Sequence, residues 1–579
     1  MSSSYSDLNE VYARHNVNYN LPIDDNIENI IDLLQPKLEQ NYQKTALRMG
    51  QATLSFEQLD IASKRFAAFL QSQGMIKGDR VAVQLPNILQ YPVVMLGCLR
   101  SGMVLVNVNP LYTHYELAHQ ITDANVRGLI LLTGMDTAYQ QLEDSVKSSL
   151  DWVMHCSVTG DSAAQNDILA LMQLETSLSS SSTITPSSTI DSNEDAQPQE
   201  SVSLSTKPHT VKFADAINNH HENDFKMPDI GREDLALLQY TGGTTGKPKG
   251  AMLSHYNVLA NILQCYECFG AYVEAKSTQQ VKMLNPLPLY HIFSFTVCGL
   301  LSLYGGWEDI LVTNPRDMDS LIDVIDKHKP NIIPSVNTLF IGMLSHPKFA
   351  SLDFSELYLS VGGGTAIIRA VAERWEKVTG QTINEGYGMS ETSPVISFNP
   401  PSVTEFNGTV GLPLSLTVFK IFDDAGNECA VGEPGEVCIK GPQVMKGYWQ
   451  RDNDQTFTAE GFLKTGDIGF IDESGFVTLV DRKKDMILVS GFNVYPNEVE
   501  AALTEHPKVK EVAVVGVADD YSGEAPKAFV VKNDESLTVE ELQAFATERM
   551  TGYKRPKYYE FIAELPKSAV GKILRKELR

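Results

Sequence analysis

The chain has 579 residues, 43% of them hydrophobic and 21% charged, and a formal net charge of −25. That length exceeds one hydrophobic core and calls for several domains or subdomains. The negative balance excludes nucleic acid, which needs a basic face, and excludes simple electrostatic docking on anionic lipid.

The first residues, MSSSYSDLNEVYARHNVNYNLP, lack the charged-then-apolar pattern of a secretory signal. No stretch approaches the ~18 uninterrupted apolar residues of a spanning helix. Seven scattered cysteines form no framework, so a reducing cytoplasm is expected. Peripheral contact with the cytoplasmic face of the inner membrane and a homodimer are both left open. Cys265 and Cys268 form a CxxC without a second pair, read as two thiols on one helix face.

In chain order, the helical pattern Phe56 to Gln73 precedes the strand-like run Arg80 to Leu85, and Tyr91 to Val106 reads as a buried helix followed by a strand. Further buried strands are predicted at Leu129 to Leu132, Leu235 to Tyr240, Asn331 to Ile333 and Leu357 to Val361, with a helix at Met318 to Lys327. This alternation predicts α/β layers with largely parallel sheets. The segment from Thr176 to Ser201 is half Ser and Thr and is expected to be a disordered surface insertion. From Val410 to Val480 short strands separated by turn pairs predict a small antiparallel or barrel-like unit. After Asp481 a compact α+β domain is expected.

The stretch YTGGTTGKPKG, Tyr240 to Gly250, packs four glycines, three threonines and two lysines into eleven residues. It has almost nothing to bury. Gly242, Gly243, Gly246 and Gly250 can turn bare N–H groups inward, Thr241, Thr244 and Thr245 add hydroxyls, and Lys247 and Lys249 add charge. Together these make a cradle for polyphosphate. A P-loop is disfavoured: Thr241 stands where its first glycine belongs, and Pro248 follows Lys247. A solvated linker is the plainer alternative.

Two other stretches, LSVGGGTAI and NEGYGMSET, read singly as Gly-rich turns; together they suit a flat base, with a backbone platform at Gly363 and Gly364 and an aromatic wall at Tyr387. An isolated Glu is ordinarily a solvated surface residue; Glu391 beside a phosphate loop would repel the nucleotide unless Mg²⁺ lay between them, the hard-cation case.

YTGGTTGKPKGAMLSH resembles the phosphate-loop signature of the adenylate-forming enzymes: acyl-CoA synthetases, luciferases and peptide-synthetase adenylation domains. Gly242, in place of the usual Ser, looks like bacterial long-chain fatty acid–CoA ligases. Four further motifs follow in the family's order, over nearly the whole chain outside the Ser/Thr insertion.

The resemblance implies ATP, Mg²⁺ and coenzyme A as ligands and a fatty acid as substrate. It implies nucleotide contacts from Thr241 to Lys249 and from Gly388, Met389 and Ser390, where Ser390 replaces the family's Thr. Asp467, in KTGDIGF, would bind the ribose together with Arg482; Lys484, in VDRKKD, would be the pivot of a hinge; Gly491, in VSGFNVYP, would line the pantetheine path. Lys572, in LPKSAVGKILRKELR, would bridge carboxylate and α-phosphate. His291, in PLYHIFSFTVCGLL, would lie near the acyl carboxylate, with an alkyl tunnel around it and Phe295 as its gate.

The expected fold is α/β. A large N-terminal domain, 1–481, holds two α/β subdomains and a small distorted β-barrel, with the insertion at about 176–206. A hinge at 482–487 leads to a small mobile α+β domain, 488–579. A fatty acyl-AMP ligase loading a carrier protein, and a ligase for medium-chain or aryl acids, are the alternative readings.

Overall fold

The computed structural model describes residues 8–15, 21–158, 167, 170–171, 174, 208–241, 248–490, 492–519, 521–568 and 571–579. The Ser/Thr-rich stretch and the expectation placed on it lie outside these residues.

Two large sheets organise the first part of the chain. One has seven strands in the order His209–Lys212, Trp152–Cys156, Gly128–Leu132, Arg80–Gln84, Val104–Asn107, Leu235–Thr241 and Lys249–Ser254. All its pairings are parallel except the last. The other has nine strands and is parallel from Ile383–Gly388 through Leu359–Gly362, Ile332–Ser335, Lys282–Asn285 and Glu308–Leu311 to Thr45–Met49, with antiparallel strands at both edges. Buried, Val/Ile/Leu-rich strands suit parallel sheets covered on both faces.

Helices fill the space around the sheets. Helix Phe56–Ser72 begins at a capping box between Ser55 and Gln58, and helix His255–Cys265 at a reciprocal pair of Ser254 and Asn257. In helix Gln90–Arg100 every residue is buried, as expected of a helix apolar all round. Its residues share one core cluster with those of Phe56–Ser72, His255–Cys265 and 292–303. Cys265 and Cys268 are free and buried.

Residues 418–482 form an antiparallel sheet of four strands, Val418–Phe422, Gly435–Lys440, Leu463–Ile471 and Val477–Arg482. Among the described residues its two edge strands do not pair with each other. The last part of the chain is a five-stranded sheet built on the long hairpin Val509–Asp519 and Gly523–Lys532. Along that hairpin Val512 and Val514 enter one core and Ala513 and Val515 another, the period-two alternation of a sheet covered on both faces. No described helix is long and apolar enough to cross a membrane.

The predicted strands and helices are found within a few residues of their expected bounds. The strand Lys249–Ser254 was not foreseen: GAMLS reads as the approach to a helix, and its partner strand lies on the far side of the glycine-rich stretch. The π-helical segments Tyr266–Gly270 and Ser294–Leu300 also carry no signature in the apolar pattern.

Candidate active site

The candidate residues converge where the parallel strands of the nine-stranded sheet end. His291 follows strand Lys282–Asn285, Gly363 and Gly364 follow Leu359–Gly362, and Met389, Ser390 and Glu391 follow Ile383–Gly388; Thr338, not among the sequence candidates, follows Ile332–Ser335. Chain order reverses at Lys282–Asn285, whose neighbours are Ile332–Ser335 and Glu308–Leu311. Open α/β sheets bind ligands at the carboxyl ends of strands at such a reversal.

Thr241 ends one strand and pairs with Lys249, which begins the next. Gly242, Gly243, Thr244, Thr245, Gly246 and Lys247 lie outside the described residues. The hairpin is clipped from the side: Trp449 N–H donates to Gly250 O at 2.8 Å, and Met252 N–H to Gly447 O at 2.9 Å. The Lys249 ammonium stands 5.1 Å from the Tyr448 ring centroid, and the Tyr448 hydroxyl donates to Glu391 Oε1 at 2.6 Å. Burial, then the neighbouring Glu391 carboxylate, raises the Tyr448 pKa, so the hydroxyl keeps its proton. Tyr448 was not foreseen, because 57 residues separate it from Glu391 and no local pattern links them.

Glu391 is buried, and its carbonyl accepts from Met445 N–H at 2.8 Å. Among the described residues no group of three His, Cys, Asp or Glu side chains could hold a metal by itself. A lone carboxylate with one oxygen tied to a neutral hydroxyl suits a cation that takes its remaining ligands from phosphate and water, as Mg²⁺ does.

Gly388 sits where nothing larger fits: a Cβ there would stand 2.2 Å from Pro394 O. Met389 N–H donates to Thr392 Oγ1 at 3.1 Å, closing the turn that carries Ser390 and Glu391. A Cβ on Gly363 would meet Phe293 Cε1 at 3.0 Å, so the phenyl ring and the glycine platform are in contact. Phe295, the expected gate, is fully buried. It lies in the π-helical segment Ser294–Leu300, which begins just after Phe293.

Asp467 is held on both sides. Tyr387 donates its hydroxyl to Oδ2, and Arg482 Nε lies 2.8 Å from Oδ1. Arg482 is the cross-strand partner of Asp467. Burial, with Asp467 alongside, pushes the Tyr387 pKa well up. Just beyond, the buried Asp481 accepts from Arg482 N–H and from Asn497 N–H, both at 2.7 Å, which joins the four-stranded sheet to helix Pro496–Thr504. Burial raises the Asp481 pKa to about 6. Lys484 is exposed on the following turn, and Gly491 lies outside the described residues.

Lys572 arrives from the other end of the chain. Lys567 and Ile573 form a β-bridge, Ser568 N–H donates to Lys572 O at 2.8 Å, and Gly571 takes φ +76°. A Cβ on Gly571 would lie 2.4 Å from Thr338 Oγ1, so this loop abuts the helix Asn337–Ser345. The Lys572 side chain keeps solvent contact where this loop meets helix Asn337–Ser345. Desolvation there, then the Arg482 charge, lowers its pKa to about 8, against the pull of Asp467. His291 feels Lys572 too: burial, then that ammonium, brings its pKa to about 4, so the ring is neutral. Its Nδ1 accepts from Phe293 N–H at 3.3 Å, which puts the ring proton on Nε2.

Cations from two distant segments, a neutral imidazole and a lone carboxylate thus share one cleft, a setting for joining anions. The AMP-binding enzyme family matches residues 34–449, and its C-terminal domain matches 498–572. This chain belongs to the AMP-binding enzymes.

Among curated relatives, the long-chain-fatty-acid–CoA ligase of Escherichia coli O6:H1 is 44% identical over 558 residues, 96% of this chain and 95% of that protein. The one from Salmonella typhimurium is 44% identical over 539 residues, 93% of this chain and 91% of that protein. Among solved structures, ATP-bound MatB from Rhodopseudomonas palustris superimposes with a TM-score of 0.79 at 26% identity, covering 95% of this AMP-binding enzyme and 98% of MatB.

Proposed function

We propose that this AMP-binding enzyme is an ATP-dependent long-chain fatty acid–CoA ligase. In the first step a fatty carboxylate attacks the α-phosphate of ATP and pyrophosphate leaves. In the second, the thiol of coenzyme A attacks the acyl carbonyl and AMP leaves. One observation carries the reading above all: the last loop of the chain packs its Gly571 on Thr338 and brings Lys572 within electrostatic reach of Arg482, Asp467 and His291.

Each residue has a role that its setting supports. Lys572, charged below about pH 8, offsets the repulsion between carboxylate and phosphate and the charge that grows as pyrophosphate departs. His291 offers Nε2–H to the acyl carboxylate. Asp467 and Arg482 hold the ribose, Gly363, Gly364 and Tyr387 flank the base, and Gly388, Met389 and Ser390 line the α-phosphate. The stretch from Thr241 to Lys249 cradles the outer phosphates. Glu391 would hold Mg²⁺, which when bound neutralises charge on the departing phosphates.

The second step needs a path for pantetheine to the same carbonyl, where Lys572 now stands. The part beyond residue 482 therefore swings about Lys484 between the steps and brings Gly491 to the site. The high identity to long-chain ligases over nearly full length favours a fatty acid over an aryl substrate. The assay is AMP release from ATP with palmitate, with and without coenzyme A. Palmitoyl-CoA with stoichiometric AMP is expected. Palmitoyl-AMP that accumulates untouched by coenzyme A contradicts the ligase and points to carrier loading.

A further inference from the structure

The residues leading to His291, NPLPLY, have left the sheet by Pro286, and their polar backbone groups need partners from elsewhere. Those partners come across the interface between the two sheets. Asn87 donates from Nδ2 to Asn285 O at 3.0 Å and to Leu287 O at 2.8 Å, and its Oδ1 accepts from Leu289 N–H at 2.8 Å. The Tyr91 hydroxyl lies 2.9 Å from Leu289 O. Gln239 Nε2 donates to Tyr290 O at 3.1 Å.

Asn87, Tyr91 and Gln239 are all buried. Asn107 ties two of them together, its Nδ2 donating to Gln239 Oε1 at 3.0 Å and its Oδ1 lying 2.7 Å from the Tyr91 hydroxyl. The clamp is itself fixed from the opposite side, since Thr313 Oγ1 donates to Asn87 O at 2.9 Å. Asn87 follows strand Arg80–Gln84, and Gln239 lies on Leu235–Thr241, two residues before Thr241. The seven-stranded sheet thus carries both Thr241 and the groups that grip the histidine's segment, which springs from the nine-stranded sheet.

We propose that Asn87, assisted by Gln239 and Tyr91, is a positioning clamp that registers His291 of one sheet against Thr241 of the other. The clamp sets where the acyl carboxylate meets the phosphates. It rests on the reading of His291 given above. Adenylation joins groups held by different sheets, so a shift between them misplaces the attacking oxygen, and a misplacement of ~1 Å costs on the order of a hundredfold in rate.

The test is a double-mutant cycle on pyrophosphate release, run below the unfolding midpoint of every variant. Asn87→Ala is expected to lower kcat for adenylation by on the order of a hundredfold, with KM for ATP and the conversion of supplied acyl-adenylate to thioester nearly unchanged. In the His291→Ala background the same substitution should cost no more than about twofold, since it acts through the missing ring. An equal loss in both backgrounds would make Asn87 a merely structural residue and overturn the clamp. A normal rate for His291→Ala alone would instead remove the histidine's own role, and the clamp's purpose with it. Should Asn87→Ala fail to fold, the near-isosteric Gln239→Met enters the same cycle, where coupling to His291 supports the clamp and additivity refutes it.

Discussion

The two walls of the cleft are built in opposite ways. On the wall that carries Asp467 and Glu391, both carboxylates are buried and held by a neighbour before any ligand arrives: Asp467 by Tyr387 and Arg482, Glu391 by Tyr448. On the other wall, Lys572 is fixed through its backbone, by the Lys567–Ile573 bridge and the Ser568 N–H bond to its carbonyl, and its side chain is exposed. In the proposed two-step reaction, preorganised groups serve binding common to both steps, whereas Lys572 serves one step and leaves for the other.

The largest expected effect separates the walls directly. Lys572→Ala should slow pyrophosphate release by on the order of a thousandfold while sparing conversion of supplied acyl-adenylate to thioester; stopped-flow assays of each half-reaction check this. Equal loss in both would erase the contrast.

A second effect follows from the lowered pKa of Lys572. Above about pH 8 the ammonium is lost, so kcat/KM for adenylation should fall about tenfold per pH unit there, and not from 10.5 upward. Lys572→Arg should be slower at pH 7 and lack that limb, because guanidinium stays charged. The neutral His291 ring should add no limb between pH 5 and 7. A pH profile of pyrophosphate release reads all three outcomes.

The smallest effect lies on the prebuilt wall. Tyr448→Phe removes the hydroxyl 2.6 Å from Glu391 Oε1, and half-saturating Mg²⁺ in fluorescence-monitored nucleotide binding should rise about tenfold. An unchanged requirement would mean that the tyrosine does not orient the carboxylate.

Much of this was legible in the sequence because it is local. Apolar runs marked the strands, and Gly-rich stretches marked the loops at their ends. What escaped is what packing decides. Tyr448 reaches Glu391, and Asn87 reaches Leu289, across 57 and 202 residues, distances over which no periodicity operates. Which ring of this segment meets the platform was not legible either, because the segment is apolar throughout and only the packing puts Phe293 against Gly363.

The claim that the walls must part between steps can be tested by locking them. A Cβ on Gly571 would stand 3.7 Å from Thr338 Cβ, within the span of a disulfide, about 3.5–4.5 Å. The oxidised Thr338→Cys/Gly571→Cys enzyme should release about one pyrophosphate per active site and make no thioester until a reductant opens the bond. Sustained thioester production with the bond intact would contradict the swing, and with it the division of labour between the two walls.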